Sequence, residues 1–195
     1  MTSDALPGAL PDEAADGPKR APASGLRSAV EWVLVIGGAL AVALLVKTFL
    51  LQAFYIPSES MVHTLEIGDR VLVNKVSYDL HDVNRGDIIV FEKPAGEAGD
   101  IEDLIKRAIG LPGETIEGRD GQIYIDGEPL DEPYLDEGVV TGDFGPVDIP
   151  EGQLFMMGDN RGNSRDSRFF GPISEDLIVG RAFLRVWPPG DISTL

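Results

Sequence analysis

A long apolar run near the N-terminus limits the possible folds of this chain more than any other feature. Residues 32–51 form a stretch of 20 residues in which Lys47 is the only charged side chain. A helix needs about that length to cross a hydrocarbon core of roughly 30 Å. Trp32 and Tyr55 bracket the run, as aromatic residues do at membrane interfaces. We therefore predict a membrane-spanning anchor helix over residues 29–54.

The charges on either side of the run predict its orientation. Three basic residues precede it within residues 1–28, whereas the first charged residues after it are Glu59 and Glu66. The positive-inside rule then places the N-terminus in the cytoplasm and the residues after the run outside. A cleaved signal peptide would have a shorter apolar core and an A-x-A-like site, which residues 57–61 do not resemble. A retained anchor is favoured, preceded by a disordered cytoplasmic tail over residues 1–28.

Composition narrows the chemistry that the chain can perform. It contains no cysteine, which excludes disulfides, a thiol nucleophile and a Cys-ligated metal site. His63 and His81 are its only histidines, so a His-rich metal cluster is excluded as well. The net charge of −17 argues against a nucleic-acid partner, because an acidic surface repels phosphate at long range.

The residues after the run predict a mostly β domain over 55–195. Residues 115–125 contain Asp120-Gly121 between alternating apolar residues, which is the strongest short-range signal for a hairpin. Helical periodicity is confined to about one turn near residues 103–109. Further strands are predicted at residues 69–76, 87–91, 154–157 and 182–187. We predict an antiparallel folded barrel or sandwich with a small insertion near residues 128–150.

Two serines follow the predicted end of the anchor at Pro57, namely Ser58 and Ser60. Neither lies in a G-x-S-x-G elbow, and no S-x-x-K motif begins at Ser60. A Ser-His-Asp triad would need His63 or His81. At three residues beyond Ser60, His63 faces it only if the segment is helical, and Pro57 with the flanking strands argues against a helix.

A neutral lysine is the other side chain that can activate a serine. Its ordinary pKa is near ~10.4, so such a lysine must be desolvated to act as a base. Lys106 lies in the apolar stretch 104–111 and, if this is a strand, shares one face with Ala108. By itself the pattern is also typical of an edge lysine with a solvated head group.

A third polar segment, residues 158–171, combines turn-forming and charged residues after an apolar strand. A calcium loop is disfavoured because Arg161 occupies the third ligand position of that pattern. A plain polar turn is the simpler interpretation.

Taken together, these segments resemble the bacterial type I signal peptidases with a single N-terminal membrane anchor. The matching motifs, in the order of that family, are PSESM with Thr64-Leu65 (57–65), GDRVLVNK (68–75), RGDIIVF (85–91), KRAIGLPGE (106–114) and residues 158–171. Each motif alone is modest, but five in order are specific.

The resemblance implies a Ser-Lys endopeptidase that removes signal peptides from preproteins after small residues at positions −3 and −1. Ser60 would be the nucleophile and Lys106 its general base. The Ser60 backbone N–H and the Ser58 hydroxyl would form the oxyanion hole. The implied partners are preprotein signal peptides, the lipid bilayer and the secretion translocon, and no metal or organic cofactor is implied.

The resemblance also implies supporting roles in the polar segment. Ser164 would hydrogen-bond the amine of Lys106 and aim it, while Asp166, paired with Arg168, would hold the loop in place. Residues 159–161 would be structural supports. His63 departs from the family, which usually has proline there, and we expect this change to affect pH dependence and substrate fit.

Two other functions remain open at this point. A self-cleaving repressor also uses a Ser-Lys dyad, but the anchor and the lack of a basic helix-turn-helix region argue against it. A non-catalytic, membrane-anchored domain that binds peptides is disfavoured by the intact pair of Ser60 and Lys106.

Overall fold

The computed structural model describes residues 25–97, 99 and 101–195. The predicted tail over residues 1–28 therefore lies outside the described residues, apart from its last four, which begin helix α1 (Gly25–Leu45). Within α1, Ser28–Leu45 is long and apolar enough to cross a membrane by length and composition. A π-helical turn, Val46–Leu50, follows it. By its internal contacts the chain divides after Val42, and the second unit is Ala43–Leu195.

The predicted extension of the helix to residue 54 is wrong, because Leu51–Tyr55 forms strand β1. This strand pairs antiparallel with β2 (Arg70–Asn74), which satisfies its backbone groups without a helix. Phe54 packs against a buried apolar cluster. An unbroken apolar run does not by itself distinguish a helix from a strand, so tertiary pairing decides the boundary.

The rest of the described chain is built mainly from short strands. These are β3 (Ile88–Glu92), β4 (Asp103–Gly110), β5 (Thr115–Arg119), β6 (Gln122–Ile125), β7 (Glu128–Pro129), β8 (Phe144–Asp148), β9 (Gln153–Met157), β10 (Ile173–Ser174), β11 (Ile178–Trp187) and β12 (Ser193–Thr194). Two single-turn helices, α2 (Ser77–Leu80) and α3 (Ser167–Phe170), lie between them.

The strands form two antiparallel sheets. The larger has the order β1-β2-β11-β3-β4-β9-β10, with β12 paired to β11, and the smaller has the order β7-β6-β5-β8. The predicted mostly β, antiparallel fold is confirmed. The predicted hairpin around Asp120 is the β5–β6 pair. Residues 103–109 are strand rather than helix, because β4 pairs with β3 on one side and β9 on the other.

Strand β4 passes through all three apolar clusters of the domain. Ile105, Ala108 and Ile109 belong to a different cluster each. Every residue from Ile105 to Gly110 is buried. A lysine at position 106 is therefore held in a dry environment by the strand on which it lies.

Residues 128–150, predicted as a small insertion, contribute strands to the smaller sheet and one buried side chain to the third apolar cluster. They include β7 and β8 of the smaller sheet. Ile149 is buried in the third cluster, and the ring of Phe144 stacks on that of Phe155 with centroids 5.4 Å apart. Between β7 and β8, residues 130–143 form a long connection that reaches the site described below.

Candidate active site

Ser60 lies in a short 3-10 turn, Glu59–Met61, that follows β1 after an extended Ser58. Met61 and Leu65 are fully buried and anchor the turn in the first apolar cluster. The backbone carbonyl of Ser60 accepts a hydrogen bond from the backbone N–H of Asn160 at 3.1 Å. The turn is therefore held from both sides.

Lys106 reaches Ser60 from the middle of β4. Its Nζ lies 2.7 Å from Ser60 Oγ and 2.8 Å from the carbonyl oxygen of Ile105. The lysine is only 3% exposed. Burial lowers the pKa of Lys106 from 10.5 to about 8, although the carboxylates of Asp166 and Asp159 act in the opposite direction. A lysine with such a pKa is partly neutral near physiological pH and can accept a proton.

Ser58 contributes a second hydroxyl beside the first. Its Oγ lies 3.4 Å from Ser60 Oγ. Both serines and Lys106 line an open groove, whose wall also includes Ile67 and Leu104.

The predicted hydrogen bond from Ser164 to Lys106 is not present. Ser164 Oγ is buried and has no hydrogen-bond partner within the described residues. It packs instead beside Gly158, where a Cβ would collide with it.

The predicted pair of Asp166 and Arg168 is present and braces the polar loop. Arg168 donates from Nε and Nη2 to the two carboxylate oxygens of Asp166, each at 2.8 Å. Asp166 is fully buried and also accepts from the backbone N–H of Gly158 at 3.0 Å. Arg168 Nη1 donates to the carbonyl oxygen of Arg161 at 2.8 Å. The pair thus joins both ends of the loop.

Neither histidine is placed to activate Ser60. His63 adopts a left-handed backbone with φ 81° and pairs with Asp136 at 3.0 Å. His81 Nδ1 lies 2.8 Å from the carbonyl oxygen of Asp82. In the part of the chain that the structure describes, the side chains bonded to Ser60 Oγ are those of Ser58 and Lys106. A His-based triad is excluded by this geometry.

A buried ion pair behind Lys106 was not predicted from the sequence. Arg107 donates from Nε at 2.9 Å and from Nη2 at 2.6 Å to Asp159. The hydroxyl of Thr64 donates to the same carboxylate. Arg107 Nη1 donates to the carbonyl oxygen of Gly86 at 2.8 Å. An arginine in an apolar strand signals a buried partner, but nothing local in the sequence identifies Asp159 as that partner.

Comparison with known proteins decides the family. A family model described as "Signal peptidase, peptidase S26" matches residues 29–187. The chain belongs to this family. It is 41% identical over 170 residues to signal peptidase I of Leptolyngbya laminosa, covering 85% of this chain and 83% of the relative. It is 42% identical to signal peptidase I T of Bacillus subtilis, covering 82% of this chain and 86% of that relative. A solved signal peptidase I from Enterococcus faecalis V583 is 36% identical, has a TM-score of 0.44 and covers 52% of this chain.

Membership of the S26 signal peptidases makes the chain a protease that cleaves signal peptides. The two alternatives left open by the sequence, a self-cleaving repressor and a non-catalytic peptide-binding domain, are set aside. The relatives match across most of this chain, including the segments that carry Ser60 and Lys106.

Proposed function

We propose that Ser60 and Lys106 are the catalytic dyad of a membrane-bound endopeptidase that removes N-terminal signal peptides after small residues at positions −3 and −1. One observation carries the proposal, namely the 2.7 Å distance between Ser60 Oγ and the amine of a lysine that is 3% exposed. A nucleophile and its base within hydrogen-bond reach are the minimal geometry for acyl transfer.

The reaction follows from this geometry. Ser60 Oγ attacks the scissile carbonyl carbon while its proton moves to neutral Lys106 Nζ. The tetrahedral intermediate then collapses, the C–N bond breaks, and the leaving amine takes the proton from Lys106. A water molecule attacks the resulting ester, giving its proton to Lys106. Collapse of this second intermediate releases the carboxylate product and returns the proton to Ser60.

Charge that develops on the carbonyl oxygen needs donors close to it. In our proposal the Ser58 hydroxyl and the Ser60 backbone N–H supply them, since Ser58 Oγ lies 3.4 Å from the nucleophile. One such donor is worth roughly 2.7–4 kcal/mol in the transition state. Asp166 and Arg168 support the loop, and Ser164 adds a buried hydroxyl close to the turn of Ser60.

The proposed substrate is a preprotein held as an extended strand in the open groove beside β4, since exposed backbone at a groove edge can pair with an added strand. Helix α1 would cross the bilayer with the N-terminus in the cytoplasm, which keeps the catalytic unit on the outer side. The partners are then signal peptides, the bilayer and the secretion translocon.

Cleavage of a preprotein by the full chain in detergent micelles tests the dyad. We expect Ser60→Ala and Lys106→Ala to lower kcat by about 10³-fold or more, because removing either member of such a unit removes the whole mechanism. Lys75→Ala is the matched control, since Lys75 is exposed. Wild-type kcat/KM should rise with pH through about 8, as Lys106 loses its proton. Wild-type rates in either dyad variant would refute the assignment.

Substrate choice and topology need separate measurements. Replacing alanine at position −1 of the preprotein with a bulky residue should abolish cleavage, and cleavage at the wild-type rate would contradict the proposed specificity.

In sealed cells without an outer barrier, added protease should digest the unit that carries Ser60. Protection of that unit would contradict the orientation.

A further inference from the structure

The connection between β7 and β8, residues 130–143, touches the active-site segments at three points. We refer to it as the clamp segment. The contacts are Glu132 with Arg161, Tyr134 with Arg107, and Asp136 with His63. Each of the three partners lies within three residues of Ser60, Lys106 or the loop residues Gly158 and Asp159. A connection from the smaller sheet thus reaches every segment that builds the site.

Of the three contacts, that of Tyr134 involves the residue next to Lys106 in the chain. Its ring centroid lies 4.0 Å from Cζ of Arg107, the residue that follows Lys106 in β4. The edge of the guanidinium donates to Asp159 and to the carbonyl oxygen of Gly86. Arg107 is only 6% exposed, and the ring lies over one face of its guanidinium. The contact is a cation–π interaction, which is strongest when the cation is desolvated.

The ion pair behind the ring connects the base to the nucleophile. Asp159 binds Arg107 and accepts the hydroxyl hydrogen of Thr64, which lies four residues after Ser60. The next residue, Asn160, donates its backbone N–H to the carbonyl oxygen of Ser60 at 3.1 Å. The guanidinium of Arg107 thus connects the strand that carries Lys106 to the segments that hold the turn of Ser60.

Tyr134 is itself held in place from the opposite side. Its hydroxyl donates to Glu132 Oε1 at 2.7 Å. Burial and the neighbouring Glu132 raise the pKa of this hydroxyl above its ordinary range, so it stays a neutral donor. Glu132 binds both terminal nitrogens of Arg161, which also donates to Thr141 Oγ1 at 2.8 Å. The ring is thus held by a chain of hydrogen bonds from Glu132 through Arg161 to Thr141.

We propose that Tyr134 is a positioning residue of the peptidase: its ring presses the guanidinium of Arg107 against Asp159 and so maintains the separation of Lys106 and Ser60. The proposal rests on the dyad proposed above. The hydroxyl of Tyr134 bonds to Glu132 rather than to Ser60 or Lys106, and its effect passes through Arg107.

Kinetics of Tyr134→Leu, measured on the full chain in detergent with a preprotein substrate, test the proposal. Leucine keeps apolar packing against the third cluster but removes the aromatic face. We expect kcat to fall about tenfold or more with little change in KM, because small misplacements of a catalytic group are costly in rate. Tyr134→Phe keeps the ring and should retain kcat within about threefold. The matched control is Tyr124→Leu, which removes a ring lying 3.9 Å from Cζ of Arg119 in the β5–β6 hairpin.

The pH profile separates positioning from a purely structural role. If water reaches the pair of Arg107 and Asp159, Lys106 becomes less desolvated, and the rise of kcat/KM should move to higher pH in Tyr134→Leu but not in Tyr124→Leu. A folded Tyr134→Leu with the kcat and pH profile of the wild type would overturn the proposal. If Tyr134→Leu does not fold, Tyr134→Met, which fills a similar space without a ring face, replaces it with the same expectations.

The same assay distinguishes this proposal from the dyad. Activity in Ser60→Ala or Lys106→Ala would refute the dyad, whatever Tyr134 does. Loss of activity in both of those variants, together with wild-type rates in Tyr134→Leu, would refute only the positioning role.

Discussion

Replacing Lys106 with methionine should abolish cleavage and also make the chain more stable at neutral pH. Burial lowers the pKa of Lys106 from 10.5 to about 8 in the folded state. A pKa difference of one unit corresponds to about 1.36 kcal/mol. Keeping Lys106 charged in the folded state therefore lowers the free energy of unfolding by about 3 kcal/mol at pH 7. Methionine fills a similar space without a charge. It loses the two hydrogen bonds of Nζ, at about 1 kcal/mol each. We therefore expect a net gain of about 1–2 kcal/mol.

The gain should disappear as the pH rises. The unfolded chain keeps the lysine proton up to a pH near 10.5, whereas the folded chain loses it near 8. Between these values the unfolded state binds more protons, so the stability of the wild type increases with pH. Lys106→Met lacks this increase. Its advantage should shrink above pH 8 and reach zero near about pH 9, where the remaining cost of the charge equals the about 2 kcal/mol of the two hydrogen bonds. Near pH 10.5 the variant should be the less stable chain, because the neutral lysine keeps its hydrogen bonds at little electrostatic cost.

Denaturant unfolding of the full chain in detergent, followed by circular dichroism at pH 7, 8, 9 and 10, measures this difference. At each pH, the free energy of unfolding of the variant is subtracted from that of the wild type. The difference cancels the titration of the groups that both chains share. Lys75→Met, which removes a lysine at an exposed position, is the matched control. A difference between Lys106→Met and wild type that stays constant from pH 7 to 10 would refute the reasoning.

Three further changes probe the site. Ser58→Ala should lower kcat by about 10²–10³-fold with little effect on KM, measured by steady-state kinetics, because it removes a proposed oxyanion donor. Gly158→Ala places a Cβ against the carbonyl oxygen of Ser60, so its melting temperature should fall by about 5 °C, whereas Gly162→Ala, with nothing within 4 Å, should melt like wild type. His63→Pro should lose more than about 1 kcal/mol in denaturant unfolding, because proline cannot adopt the φ of 81° found there, and His63→Gly should not.

The sequence singled out Ser60 and Lys106, the proposed nucleophile and base, because each lies in a continuous motif with its own physical signal. Ser60 follows a proline at the end of an apolar run, and Lys106 lies inside an apolar strand. The distance between them was not predictable from either motif. It depends on β4 lying in the larger sheet and on the turn of Ser60 packing through Met61 into the first cluster. The resemblance to the signal peptidases was needed to place the two residues together.

Other features could not be predicted because they depend on packing between distant segments. Residues 51–55 directly follow the apolar run, and their pairing with β2 makes them a strand. Tyr134 carries no local signal, since a tyrosine in a polar connection is unremarkable until Arg107 is found beneath it.

The two arginines of the site explain how Lys106 can be neutral beside two carboxylates. Burial lowers its pKa, while Asp166 and Asp159 favour the charged form. A lone buried carboxylate close to the amine would hold the proton on it, because charges interact strongly where water is excluded. Each carboxylate instead binds an arginine through two nitrogens, Asp159 with Arg107 and Asp166 with Arg168. At the amine such a pair acts more as a dipole than as a net charge, so desolvation outweighs the carboxylates and leaves a usable base.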